Sequence, residues 1–201
     1  MSSEKEQAMR ERPTAQSAAP ASNLRLAHFT RAGVLLAVGL ATAFTATLHR
    51  YYEFDRWLLV VGLGLIGIAT LVEYFALRDT SESGWVAARA TVAIAAAGSM
   101  LAASDTPTLA LIIALWAGLT ALITLMRLVR KVQPVKVAFP SLALSVLLAV
   151  AALIARQDPI ALVGVFGAYA IIRGVFLGIV AFDPRPPASE STPDTTDSSR
   201  S

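Results

Sequence analysis

The sequence predicts an all-α polytopic membrane protein, six transmembrane helices built as three helical hairpin repeats. Three observations lead there. The chain has 201 residues, 55% hydrophobic and only 15% charged, with a mean hydropathy of +0.60, whereas soluble domains carry about a quarter charged residues. Its apolar residues gather into six runs, at 32–48, 57–77, 85–103, 108–126, 137–155 and 160–182. Each is long enough to cross ~30 Å of hydrocarbon as an α-helix, and none contains more than one charged residue.

Residues 1–27 mix Glu4, Lys5, Glu6, Arg10, Glu11 and Arg12 with serine, alanine and proline. Such a stretch buries too little apolar surface to offset its ordering entropy, so a disordered cytoplasmic tail is expected. The first apolar run follows a mixed-charge segment rather than a short basic one, which argues against a signal peptide. The transmembrane domain is expected over 28–183. A second disordered cytoplasmic tail is expected over 184–201, rich in Pro, Ser, Thr and acids.

The second, fourth and sixth runs resemble one another: "FDRWLLVVGLGLIGIATLVEYFAL" (54–77), "DTPTLALIIALWAGLTALITLMRLV" (105–129) and "QDPIALVGVFGAYAIIRGVFLGIVAF" (157–182). Two open with a proline after a short polar turn, Pro107 and Pro159, as suits the first turn of a helix. The loops at 78–84 and 127–136 are longer than those at 104–107 and 156–159.

Orientation follows from lysine and arginine alone. With the N-terminus inside, the inner segments hold twelve of these residues and the outer loops three, Arg50, Arg56 and Arg156. Both termini are therefore expected in the cytoplasm, with the chain in the cell (inner) membrane. The pI of about 9.6 is then largely topological, and no nucleic-acid partner is expected. The basic 127–136 loop could attract anionic lipid headgroups. With no cysteine, disulfides, thiolate metal sites and a cysteine nucleophile are excluded.

"GLGLIG" matches a dinucleotide fingerprint through Gly62, Gly64 and Gly67. That motif needs a preceding strand and a helix opening at the loop, whereas here it falls inside an apolar run. The expected role is close helix packing, shared by Gly174 and Gly178 with their GxxxG spacing. The glycine and alanine faces leave room for a homo-oligomer or a membrane-protein partner. His28 and His49 bracket the first run and are too far apart to share a metal; His49 faces outside, where an unperturbed imidazole could sense pH. Tyr51, Tyr52, Trp57 and Trp85 lie at span ends as an interfacial belt. Serines 99, 141 and 145 lie within runs with no base near them in sequence. No catalytic, cofactor or metal site is expected.

Three ionisable residues interrupt the runs: Glu73, Arg89 and Arg173. A central arginine costs roughly 2.5–3.5 kcal/mol on insertion scales, so it is expected to face inward and to be paired. Glu73 is the only acid in the runs and hence the expected partner of Arg89, Arg173 or both, leaving one net positive charge.

The three-hairpin layout, "LVVGLGLIGIATLVEYFALRD" (59–79), "DTPTLALIIALWAGLTALITLMRLVR" (105–130) and Trp85 opening the third run resemble the HdeD-like membrane proteins of acid resistance. The odd runs depart from that pattern, lacking its early glycine in "ARATVAIAAAG" and "PSLALSVLLA". The resemblance implies a non-enzymatic role in envelope or acid-stress tolerance and brings no catalytic residues with it. The alternatives are a small transporter or channel with a polar centre at Glu73, Arg89 and Arg173, or a scaffold subunit of a membrane complex.

Overall fold

The computed structural model describes residues 15–45, 51–80, 82–130 and 135–182. They form six helices: α1 Ala15–Phe44, α2 Tyr52–Leu77, α3 Ser83–Met100, α4 Thr106–Val129, α5 Val135–Ile154 and α6 Pro159–Phe182. There is no strand among the described residues. Residues 1–14 and 183–201, most of both expected tails, lie outside them, as does His49.

Four helices are long and apolar enough to cross a membrane: Leu26–Phe44 within α1, and α2, α4 and α6. The chain is a membrane protein. α5 contributes a shorter apolar stretch, Ala138–Ile154, while α3 is an alanine-rich helix of 18 residues.

Two boundaries differ from expectation. α1 begins at Ala15, inside the stretch expected to be a tail, because alanines there favour helix strongly. Its membrane-length segment, Leu26–Phe44, takes in residues ahead of 32 and so includes His28 and Arg31. Hydropathy breaks at an arginine, whereas a helix continues through one that finds a partner.

Local chemistry sets the starts of α4 and α6. The Asp105 side chain accepts from the Thr108 amide at 2.7 Å, and Asp158 accepts from the Ala161 amide at 3.0 Å. Each satisfies an amide that the first turn leaves unpaired. At the start of α2, the Tyr52 hydroxyl donates to the Ala103 carbonyl at 2.9 Å, so Tyr52 ties α2 to the end of α3. Tyr51 and Trp57 are exposed, as a belt residue should be.

The helices form a closed ring. The broadest interfaces join α1 to α6, α2 to α3 and α4 to α5. The remaining neighbours, α1–α2, α3–α4 and α5–α6, complete the circuit, and α2 touches α6 across it. Buried side chains face the middle of the ring at recurring positions. Along α2, α4 and α6 they are Leu59, Leu109 and Leu162; Leu63, Ile113 and Phe166; Ile66, Trp116 and Tyr169; Thr70, Thr120 and Arg173. Along α1, α3 and α5 they are Leu35, Ala93 and Ser145; Val38, Ala96 and Leu148; Thr42, Met100 and Ala152. The steps of three and four residues trace one face of each helix. Leucines and isoleucines such as Ile68, Leu115, Leu147 and Ile179 are exposed on the outside of the ring, an apolar surface of the kind lipid covers.

Glycines allow the closest approaches. A Cβ on Gly174 would lie 3.0 Å from the Leu36 amide nitrogen and 3.1 Å from the Ala32 carbonyl oxygen. At Gly39 it would lie 2.9 Å from both the Gly167 oxygen and the Ile171 nitrogen. α1 and α6 therefore meet backbone to backbone. Gly62 and Gly67 also lie in contacts, against Val38 and Ile94 respectively. Gly64 and Gly178 do not: a Cβ at either meets nothing within 4 Å. Both sit on helix faces turned away from the neighbours, so the GxxxG spacing in α6 marks one packing glycine rather than two.

Candidate functional site

The polar centre lies in one half of the ring, the half holding the beginnings of α1, α3 and α5 and the ends of α2, α4 and α6. Arg31 on α1 carries it into that half. Its Nη1 donates to Glu73 Oε2 at 2.6 Å, and both residues are buried. His28, one turn earlier on α1, places Nε2 3.5 Å from the other Glu73 oxygen. Glu73 is thus held by α1.

This corrects the expected pairing. Neither Arg89 nor Arg173 forms the ion pair with Glu73. Arg173 Nη1 instead donates to the Tyr169 hydroxyl at 2.5 Å and to Ser145 Oγ at 3.1 Å, and its guanidinium carbon lies 5.4 Å from the centre of the Tyr169 ring. Tyr169 is one turn back on α6, where the lean of a helical side chain towards its own N-terminus takes Arg173. Arg89, half-buried on α3, has no hydrogen bond or ion pair among the described residues. Ser145 itself donates to the Ser141 carbonyl, leaving its lone pairs for Arg173.

The two arginines of α3 and α6 and the one of α1 nevertheless come together. Arg31, Arg89 and Arg173 line a single small cavity with Thr70, Thr120, Trp116 and Tyr169. Its volume is about 10 Å³, room for one water-sized body. Trp116 packs edge-on against Tyr169, with ring centres 5.7 Å apart, and forms one wall. A buried charge needs a partner or a strong hydrogen-bonding shell. Here three guanidinium groups share one carboxylate, and that carboxylate is bound on one side by Arg31.

Sequence reasoning missed Arg31, assigning it to the aqueous inner segment. The signal was its spacing. Ala27, Arg31, Leu35, Val38 and Thr42 recur every three or four residues and are all buried, so Arg31 sits on the apolar stripe of its own helix.

At the same end of the bundle, Arg127 Nη2 donates to Glu82 Oε2 at 2.6 Å, and Arg130 lies over the Trp85 ring at 5.3 Å. These contacts join α4 to the beginning of α3. They engage two of the four basic residues expected to attract lipid headgroups; residues 131–134 lie outside the described residues, as does the side chain of Lys136. Ser99 is exposed and donates to the Ala95 carbonyl of its own helix. Among the described residues, no group of three His, Asp or Glu side chains could hold a metal ion.

No family model matches the chain, and no curated protein and no solved structure is detectably similar to it.

Proposed function

We propose that the chain crosses the cell (inner) membrane six times, with both termini in the cytoplasm, as three repeated hairpins of the HdeD-like type. It serves envelope or acid-stress tolerance without catalysing a reaction. The observation that carries this reading is the matched burial along successive helix pairs. Leu35, Ala93 and Ser145 take one position in α1, α3 and α5, and Thr70, Thr120 and Arg173 another in α2, α4 and α6. Three copies of one hairpin, closed into a ring, produce such a register. In that ring α3 and α5 must cross as well, since each antiparallel step returns the chain to the opposite face.

The cavity lined by Arg31, Arg89 and Arg173 admits one water-sized body, far below the several hundred Å³ of a usual substrate pocket. Reporter fusions after residues 80 and 132 should report cytoplasm, and fusions after 53, 105 and 157 the opposite side. A chromosomal deletion should lower survival in acid, and the plasmid-borne chain should restore it. Normal acid survival of the deletion strain would remove the stress-tolerance role, and a cytoplasmic signal at 105 would remove the six-span topology.

The second reading, a small ion conduit, is favoured by one observation: three arginines line the cavity, beside the aliphatic Leu35, Ile66 and Ala93. It requires ion flux through proteoliposomes holding the purified chain, which a purely structural bundle lacks.

A further inference from the structure

The cavity inside the ring has an excess of donors and of positive charge. Arg31, Arg89 and Arg173 all line it, and Glu73, bonded to Arg31 on the flank, neutralises only one of them. Two positive charges are left, Arg173 buried and Arg89 half-buried, in a membrane protein, where an uncompensated charge is destabilising.

Several donors there have no protein acceptor. Arg89 contributes a whole guanidinium with no hydrogen bond among the described residues. The same holds for the Thr120 hydroxyl and the Trp116 indole N–H, both on residues 4% exposed. A water molecule would answer some of these donors but would bring two protons of its own, and it would leave the charge unchanged. An anion answers both needs.

We propose that the cavity between Arg31, Arg89 and Arg173 is a binding site for a small monatomic anion, with chloride as its natural occupant. Size makes the selection. A space of about 10 Å³ holds one sphere near the size of water, which a halide fills with slight outward movement of the arginines. A phosphate or carboxylate headgroup, with several heavy atoms, does not fit. Charge and hydrogen bonding act together, because N–H donors of guanidinium groups bind anions more strongly than neutral donors do. The bound halide would also knit four helices, α1, α3, α4 and α6, through Arg31, Arg89, Trp116 or Thr120, and Arg173. The proposal goes beyond the stress-tolerance reading and does not rest on it, since the site can be occupied whatever the cell uses the protein for.

The test uses the full chain purified in detergent with sodium gluconate as the only salt. Chloride is titrated in at constant ionic strength while the unfolding midpoint is followed. A ligand that binds only the folded state raises stability with the logarithm of its concentration above half-saturation, so the midpoint should climb with chloride and stay flat with gluconate. A second measurement is independent of unfolding. The chain has three tryptophans, and Trp57→Phe with Trp85→Phe leaves Trp116 alone. Bromide should then quench its fluorescence saturably, and chloride should reverse the quenching. Arg89→Gln should abolish both responses and should not lower the midpoint in gluconate, since it removes a charge that has no protein partner. Thr120→Val serves as a second variant with a weakened response. Equal midpoints in chloride and gluconate, with unsaturable or absent bromide quenching in the single-tryptophan chain, would overturn the proposal. A chloride effect that survives intact in Arg89→Gln and Thr120→Val would overturn it as well, by moving the binding elsewhere.

Discussion

Arg31 on α1 donates to Glu73 on α2 at 2.6 Å, a buried contact between residues 42 apart in the chain. It joins the N-terminal half of the first span to the C-terminal half of the second. Removing one partner leaves the other charge buried without compensation, a loss of ~3–5 kcal/mol in soluble proteins. Arg31→Leu and Glu73→Leu should each lower stability by an amount of that order. The double variant should lose less than the sum, because neither orphaned charge remains. Additive losses in detergent unfolding would remove the pair as a stabilising unit.

Arg173 depends on different neighbours. Its bonds run to Tyr169 and Ser145, and a hydrogen bond to a charged group contributes about 1.5–3 kcal/mol. Tyr169→Phe should therefore couple to Arg173→Leu in a double-mutant cycle, while Glu73→Leu and Arg173→Leu should come closer to additivity. Coupling to Glu73 equal to that shown by Arg31 would contradict the arrangement.

Alanine substitutions should separate the glycines. Gly174→Ala and Gly39→Ala press a methyl group onto opposing backbone at 2.9–3.0 Å and should destabilise the α1–α6 interface by roughly 1–3 kcal/mol, the usual cost of overpacking. Gly64→Ala and Gly178→Ala meet nothing within 4 Å and should be neutral or slightly stabilising, since alanine favours helix over glycine. Thermal midpoints of the four variants would distinguish the two classes.

The hydrogen bond from Thr108 holds the Asp105 carboxyl below its ordinary value of 3.8. A depressed folded value means that ionised Asp105 stabilises the start of α4 above the unfolded value and that this contribution disappears as pH falls through the folded one. Asp105→Asn retains an N-cap side chain without the titration. The stability difference between wild type and variant should thus be constant above pH 5 and should shrink as pH drops below 4. A difference that does not change across that range would show that the cap is insensitive to the charge.

Much of the architecture was legible in the chain itself. Six apolar runs became six helices, and each helix covers most of its run, because hydropathy and length are local properties that lipid imposes on any sequence. The starts of α4 and α6 were local too, marked by the polar turns before Pro107 and Pro159, in which the structure makes Asp105 and Asp158 the caps. Two things were decided only in three dimensions. The first is which glycines touch a neighbour: Gly174 does and Gly178 does not, since contact depends on how each helix is rotated towards the next. The second is which charge meets which. Arg31 looked like the edge of a cytoplasmic segment, and Glu73 looked like the partner of Arg89 or Arg173. Closing the ring set α1 against α2 so that Arg31 reached Glu73 first, and it left Arg89 and Arg173 facing the same small cavity. Electrostatic partners are chosen by distance in space, and sequence separation does not encode that distance until the helices have packed.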